Sequence, residues 1–542
     1  MRLRVCRAVF AANIFFCLAA TADARDSVVA QRFMVAAAHP LAVEAGYGVL
    51  KRGGSAVDAA IAVQLVLGLV EPESSGIGGG AFLLHWSEKE GKLRSYDGRE
   101  TAPAAARPDR FLKRNQPMEF HEAAVGGRSV GVPGVLRMLE LAHRRHGRLA
   151  WNSLFADAIR LAEEGFAVSP RLRAQLSQER FLRDDAAAAK LYYAAPLLEG
   201  LIFKNPEYAV TLHAIAAGGA DAFYRGPIAA DIVRVVRVNA RPGDLSESDL
   251  ASYRALEREP LCGPYRRWRV CSMGPPSAGG VAVLQILGLL ERTAFAVAPP
   301  QSAAAVHFFS EAGRLAYADR ARYLGDPGFV FVPVEKLLGK KYLDERAKLI
   351  TGRSMRLAPA GDPEAFGTSH LSIVDAAGDA VSMTTTIEAS FGSRIVVRGF
   401  LLNNELTDFD FSPGLPNAVA PRKRPRSSMA PTMVFSGERL EMVLGSPGGP
   451  NIINYVAKAL VGALDWKLDL QSAVALPNFG SRNGPTLIEK DSAFEAFLDE
   501  LRRRNHAVET VQLASGLHGI ERVPGGWRGA VDPRREGTAR GD

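Results

Sequence analysis

Cysteine is scarce in this chain, with four in 542 residues. Two of them, Cys6 and Cys17, fall in a leader segment, which leaves only Cys262 and Cys271. That excludes a small disulfide-stapled scaffold, and one cysteine pair without histidines nearby is a poor zinc site. The stretch from Cys262 to Cys271 reads as two short strands around a turn. A cross-strand bridge and two buried thiols both fit it. The 10 histidines are scattered and no H-E-x-x-H occurs, so no metalloprotease pattern is present. No G-x-S-x-G elbow precedes a helix, which argues against the common serine hydrolases. Long hydrophobic runs are also missing. Ala56–Val70 is apolar over 15 residues but carries Asp58 and Gln64, and reads as a buried helix rather than a membrane span. The excess of 66 basic over 58 acidic residues gives a charge of only +8. The clusters Arg422-Lys423-Arg424 and Arg502-Arg503-Arg504 have no interleaved aromatics and read as solvated surface, not as a nucleic-acid interface.

Two glycine-rich stretches resemble nucleotide loops without meeting their requirements. Gly76-Ile77-Gly78-Gly79-Gly80-Ala81 fits G-x-G-x-x-A, but a helix precedes it and a strand follows, the reverse of a dinucleotide site. Backbone packed closely against other chain is the better reading. Gly445-Ser446-Pro447-Gly448-Gly449 lacks the lysine of a phosphate loop, yet its bare N–H groups suit an anion or a developing oxyanion.

The composition, 47% hydrophobic and 23% charged, is that of a globular protein able to build a core. Arg2, Arg4 and Arg7 precede the apolar Ala8–Ala20, and Ala22-Asp23-Ala24 is a cleavage pattern, so residues 1–24 are expected to be a signal peptide that directs the chain to the periplasm or outside the cell. Residues 34–70 read as helical, interrupted at Gly53-Gly54 with Ser55 as an N-cap. Ala81–Trp86 reads as a strand. Further helices are expected in 131–165 and 206–240, over Val281–Arg292 and Ala303–Tyr323, and again over Ile452–Leu464. From Thr368 to about Gly449 the texture is β. Residues 355–367, rich in Pro, Gly, Asp and Ala, read as an exposed loop that runs directly into a strand. No repeats and no long linker divide the chain.

Thr368 to Thr386 reads as a hairpin turning at Asp375–Asp379, with Gly378 at the positive-φ position. A two- or three-residue loop sets Thr368 opposite Ile387 or Thr386, so two hydroxyls face each other or lie diagonal across the ladder. Threonine pairs also occur in strands for packing alone. The chemistry that would use this pair is N-terminal nucleophile catalysis. If the bond before Thr368 is cut, its own α-amine, with a reference pKa near ~8, becomes a base beside its hydroxyl.

Around this hairpin stand Leu401-Leu402-Asn403-Asn404-Glu405-Leu406-Thr407-Asp408-Phe409, then Arg424-Pro425-Arg426-Ser427-Ser428-Met429-Ala430-Pro431-Thr432 and Gly445–Gly449. Upstream are Gly53–Ala60, Gly76–Gly80, Asp97-Gly98-Arg99-Glu100 and Pro275–Gly280; downstream is Asp532-Pro533-Arg534-Arg535. In this order, over nearly the whole mature chain, they closely resemble the γ-glutamyltransferase family. The resemblance implies an α/β fold, a four-layer αββα sandwich of the N-terminal nucleophile hydrolase type. It implies self-cleavage between Gly367 and Thr368, giving a large subunit (25–367) and a small one (368–542) in a non-covalent heterodimer. Thr368 matches the nucleophile, Thr386 its assisting hydroxyl, and Gly448 and Gly449 the oxyanion hole. Arg99 matches the grip on the substrate α-carboxylate, helped by Ser427 and Ser428, and Glu405 and Asp408 match the hold on the α-ammonium.

Two departures stand out. Glu388 occupies a position where many members carry Asn, which adds negative charge to the pocket. The segment between Asp408 and Ser427 is short, which implies a site without a long lid. The activity implied is transfer and hydrolysis of γ-glutamyl amides such as glutathione, with an amino acid, peptide or water as acceptor and no metal or organic cofactor. The alternatives are a cephalosporin or glutaryl-type acylase of the same family and, more remotely, a non-catalytic periplasmic binding protein.

Overall fold

The computed structural model describes residues 27–358 and 368–542. The expected signal peptide and the Gly367 side of the expected cleavage junction lie outside the described residues. In chain order the principal strands are β1 (Val28–Ala30), β2 (Met34–Ala37), β3 (Gly80–Ser87), β4 (Lys92–Gly98), β5 (Leu256–Arg258), β6 (Leu261–Tyr265), β7 (Trp268–Ser272), β8 (Ser369–Val374), β9 (Ala380–Thr386), β10 (Thr432–Ser436), β11 (Arg439–Gly445), β12 (His518–Val523), β13 (Gly526–Val531) and β14 (Thr538–Gly541). They form two seven-stranded sheets, ordered β1-β13-β12-β11-β10-β7-β6 and β14-β2-β8-β9-β3-β4-β5. Every neighbouring pair is antiparallel.

The sheets stack face to face, and side chains that alternate along each strand build three cores. On β8, Leu371 and Ile373 point outward to the layer of α1 (Pro40–Lys51) and α2 (Ala56–Val70). Val374 points inward to an inter-sheet core with Met34, Trp86, Met433, Phe435 and Ile520. The other sheet is covered by α3 (Gly279–Leu290), α4 (Ala303–Tyr323) and α5 (Ile452–Leu464), which bury Val283, Phe309 and Val456 against Val434 and Leu444. This is the four-layer αββα sandwich. α2 is buried along almost its whole circumference, which explains why its sequence is apolar all round rather than striped.

Two expectations are corrected. In the 422–424 cluster Lys423 and Arg424 are buried rather than solvated, donating to the carbonyls of Pro416 and Ala418 and of Arg254. Residues 34–37 are strand, not helix. Met34–Ala37 pairs with β8 and β14, and sheet pairing overrides the helix propensity of Met and Ala. The helix begins only at Pro40, capped by His39. Ser55 caps α2 as the sequence implies, in a reciprocal box with Asp58. The choice left open at the cysteines is resolved in favour of a bridge: Cys262 and Cys271 are cross-strand partners on β6 and β7 and are joined as a disulfide.

Candidate active site

The hairpin that places Thr368 is fixed from its far end. Asp375 Oδ1 accepts from the N–H groups of Ala377 (2.8 Å) and Asp379 (3.1 Å), and Gly378 sits at φ 85°. Asp375 Oδ2 accepts from Ala56 N–H at 3.1 Å, which ties the turn to the start of α2. Burial, eased by the nearby Arg148, raises the Asp375 pKa to about 6. The loop has three residues, and Ser369 pairs with Thr385. Of the two registers considered, this sets Thr368 against Thr386, with their Oγ1 atoms 3.5 Å apart. A one-residue slip would put the two hydroxyls on opposite faces of the sheet.

Thr368 heads a row of inward-facing polar residues. His370 Nδ1 lies 2.9 Å from Thr384 Oγ1, and its Nε2 lies 3.1 Å from Ser372 Oγ. Ser372 and Ser382 donate to carbonyls of the facing sheet, at Val443, His518 and Leu444. Burial, then the neighbouring His518, holds the His370 pKa well below the ordinary imidazole value. A Cβ on Gly445 would lie 2.3 Å from His370 Cε1, so glycine there lets the two sheets close around the imidazole.

One pocket, about 290 Å³ with its open mouth, is lined by Thr368, Thr386, Arg99, Glu388, Glu405, Asp408, Ser427, Ser428 and Gly449. Thus every predicted side chain comes to one place. Met429, Pro450 and Ile452 give it apolar wall, and nothing from residues 409–426 lines it. Gly448 adjoins it, at φ 131°, packed on the Tyr455 ring. Gly448 and Gly449 lead through a short 3-10 turn into α5. Among the described residues neither of their N–H groups meets an acceptor. Two glycine amides at a helix entrance therefore remain available to a developing negative charge.

The charged end of the pocket is crowded. Arg99 is fully buried. It pairs through Nη1 with Glu405 and through Nη2 with Asp408, and donates to the carbonyls of Pro425 and Arg426, both at 3.0 Å. Burial alone would lower its pKa, but Glu405, Asp408 and Glu100 outweigh that and hold it above the ordinary value. Burial lifts Glu405 to about 8, with Arg99 opposing and Asp408 adding to the rise. Burial, then repulsion from Asp408 and Glu405, raises Glu388 well above the usual carboxylate range. Glu388 Oε2 accepts from Asn404, while Oε1 is buried with no hydrogen-bond partner. The backbone N–H of Glu388 donates to Thr386 Oγ1 at 2.8 Å, linking the hydroxyl pair to the head-group end. Three carboxylates, counting Glu100 behind Arg99, thus share this one buried guanidinium, while the cation that acts on Glu388 is Arg394.

The glycine-rich stretch after α2 makes this fit. A Cβ on Gly79 would lie 2.1 Å from Thr386 O, and one on Gly80 would lie 2.2 Å from Glu100 Oε2. Asn403 and Asn404 bind backbone on both sides of the pocket floor: Asn403 holds Gly78 O, Gly131 and the N–H of Glu405, and Asn404 takes the N–H of Ala389. These two residues carry no assigned role in the sequence analysis, nor do Arg320 and Arg535. Arg320 donates to Ser428 Oγ at 2.9 Å, and Arg535 donates to the carbonyl of Thr368 at 3.2 Å. The doubled Asn403-Asn404 and Arg534-Arg535 inside the motifs are a local signal for three of these residues, and Arg320 has none.

Among the described residues, one group has metal-ligand geometry: His307, Glu311 and His506. It is internally satisfied. His307 Nε2 donates to Thr351 O (2.7 Å), which leaves Nδ1 to accept from His506 Nε2 (2.7 Å), and His506 Nδ1 lies 2.7 Å from Thr486 Oγ1. Glu311 accepts from Arg314, Ser354 and the N–H of Met355. The cluster lies outside the pocket and clamps the segment around 351–355.

A four-layer αββα sandwich with a hydroxyl residue heading an inner strand defines the N-terminal nucleophile hydrolases. Within that class, the sequence signature described as Gamma-glutamyltranspeptidase matches residues 42–541, and the chain belongs to that family. It is 37% identical over 536 residues to the glutathione hydrolase proenzyme of Bacillus subtilis (strain 168), covering 94% of this chain and 91% of the relative. It is 35% identical over 523 residues to the acylase ACY 1 proenzyme of Pseudomonas sp. (strain SE83), covering 94% and 93%. The crystal structure of cephalosporin acylase from Bacillus halodurans is similar at a TM-score of 0.85 and 28% identity, covering 96% and 97%. No helix among the described residues is long and apolar enough to cross a membrane.

Proposed function

We propose that the protein transfers and hydrolyses γ-glutamyl groups of amides such as glutathione, after export and self-cleavage between Gly367 and Thr368 into chains 25–367 and 368–542. The observation that carries this reading is the meeting in one pocket of the Thr368–Thr386 hydroxyl pair with Arg99, Glu388, Glu405, Asp408 and the two serines, beside two glycine amides that lack an acceptor.

Thr368 Oγ attacks the γ-carbonyl and passes its proton to its own α-amine, freed by the cleavage. Thr386 holds the attacking hydroxyl, and the N–H groups of Gly448 and Gly449 stabilise the tetrahedral oxyanion. The C–N bond breaks and the amine leaves with the proton. Water or an acceptor amine then attacks the γ-glutamyl ester on Thr368, which regenerates the hydroxyl. At the head group, Arg99 supplies positive charge, and Ser427 and Ser428 hydrogen bonds, for the α-carboxylate. Glu388, Glu405 and Asp408 face the α-ammonium.

The likeness to a cephalosporin acylase and to acylase ACY 1 favours a second reading, release of glutaryl-type acyl groups. A glutaryl group keeps the carboxylate and lacks the ammonium, so three pocket carboxylates would face it with no cation in return. That favours the γ-glutamyl reading.

The test is mass analysis of the signal-free protein together with rates on matched γ-glutamyl and glutaryl p-nitroanilides. Two chains, one beginning at Thr368, and a strong γ-glutamyl preference are expected. Thr368→Ala should give one uncut chain without turnover; nitroaniline release by an uncut chain would reject the mechanism, and a glutaryl preference would select the acylase reading.

A further inference from the structure

An α-carboxylate needs hydrogen-bond donors, and Arg99 has few to spare. Its Nε–H serves Pro425 O, Nη2 serves Asp408 and Arg426 O, and Nη1 serves Glu405. The two serines are in the opposite condition. Ser427 Oγ accepts from Met429 N–H at 3.1 Å, and Ser428 Oγ accepts from Arg320 Nη2 at 2.9 Å. Neither hydroxyl donates to any described group, and both line the pocket. A hydroxyl whose lone pair is taken by an N–H keeps its own hydrogen for another partner. Both O–H groups are therefore donors left to the pocket.

Arg320 stands in the last turn of α4. A guanidinium cannot accept a hydrogen bond, so its bond to Ser428 runs in one direction only. A neutral side chain with both donor and acceptor atoms would leave the serine free to turn its hydrogen away from the pocket. Arg320 Nε is buried without a hydrogen-bond partner, and the countercharges that act on the side chain are Asp408 and Asp410, with Arg426 repelling it.

We infer that Arg320 is a positioning residue for the α-carboxylate: it fixes Ser428 as a donor into the pocket. The inference rests on the γ-glutamyl reading above. It also means that the carboxylate end of the site is built by α4 and the 427–428 loop together, from opposite sides of the expected cleavage point.

The test is a mutant cycle on γ-glutamyl p-nitroanilide with Arg320→Met, Arg320→Lys, Ser428→Ala and the combinations with Ser428→Ala. Wild-type turnover is read first, and its absence would reject the γ-glutamyl reading rather than the role of Arg320. Losing a hydrogen bond to a charged group corresponds to a rise of about tenfold in KM, with kcat within about twofold for Arg320→Met. Arg320→Lys should recover part of the loss. In the Ser428→Ala background either change should raise KM by less than about twofold, because the residue acts through Ser428. Inhibition by L-glutamate should weaken in Arg320→Met, while inhibition by 4-aminobutanoate, which lacks the α-carboxylate, should not. An unchanged KM, a fall in kcat alone, or effects that multiply in the double variant would overturn the inference. If Arg320→Met does not fold, the Lys and Ala variants complete the same cycle.

Discussion

Replacing Glu388 by Gln tests the head-group reading with almost no change in shape. In the native pocket Oε2 is held by Asn404, and Oε1 is a buried acceptor with no protein partner. In the variant the amide oxygen keeps Asn404 and the NH2 group takes the place of Oε1, so an acceptor aimed at an ammonium becomes a donor. A hydrogen bond to a charged group contributes about 1.5–3 kcal/mol, so kcat/KM for γ-glutamyl p-nitroanilide should fall about 10- to 150-fold. A glutaryl p-nitroanilide has no ammonium to lose, and removing one carboxylate from a pocket that already holds Glu405 and Asp408 should leave its rate equal or higher. The ratio of the two rates therefore collapses. There is a second readout. Burial and its carboxylate neighbours raise the Glu388 pKa, so an arriving ammonium should drive a proton off. Calorimetric titration with L-glutamate in buffers of different ionisation enthalpy should show proton release near neutrality, and less of it in Glu388→Gln. An unchanged ratio of γ-glutamyl to glutaryl rates would refute the reasoning.

Other outcomes follow from single contacts. Gly448→Ala puts a Cβ 2.5 Å from the Tyr455 ring at φ 131°; displacing the amide should lower kcat about 100-fold with little change in KM, and a normal kcat would remove Gly448 from the oxyanion role. Asp375→Ala strips acceptors from Ala56, Ala377 and Asp379; urea unfolding should show a loss of about 2–4 kcal/mol, and a loss within error would mean that the turn is not what fixes the hairpin. His506 is buried beside His307, Arg314 and Arg504, and its pKa falls to about 3 from an ordinary 6.5. The unfolded chain then binds more protons between those values, so this contribution to stability is complete above pH 6.5 and is lost as pH falls toward 3. His506→Gln should flatten the fall of Tm across that window, and an unchanged slope would assign the acid sensitivity elsewhere.

Much of the pocket was legible because its residues sit in contiguous motifs with little freedom. Ser427-Ser428 and Gly448-Gly449 are adjacent in sequence and adjoin the same pocket, and the turn residues Asp375 and Gly378 announce the hairpin that aims Thr368. The limits are equally physical. Residue pairing alone left two registers, and the structure takes the one in which Ser369 pairs with Thr385. Met34–Ala37 carries helix-forming residues, and only its neighbours β8 and β14 make it a strand. The neutralisation of Arg99 by both Glu405 and Asp408 was not visible either. Sequence suggested separate holds for the carboxylate and the ammonium, whereas the three side chains form one buried ion cluster. Arg320 was unreadable because a charged residue at the end of a helix has no pattern that points to a serine 108 positions later.

The strand order has a consequence for what a cut chain would be. In one sheet β2 lies between β14 and β8, and in the other β7 follows β10 and β1 edges β13. Each sheet thus combines strands from before and after Thr368. If the chain is severed there, neither fragment carries a complete seven-stranded sheet, and each would leave the other with open ladder edges in both sheets. Such a pair does not exchange members: separating the fragments is the same event as unfolding, and mixing two mature populations at temperatures well below melting should produce no hybrids. On that reading the uncut chain, which threads both sheets, is the form in which the two sheets assemble.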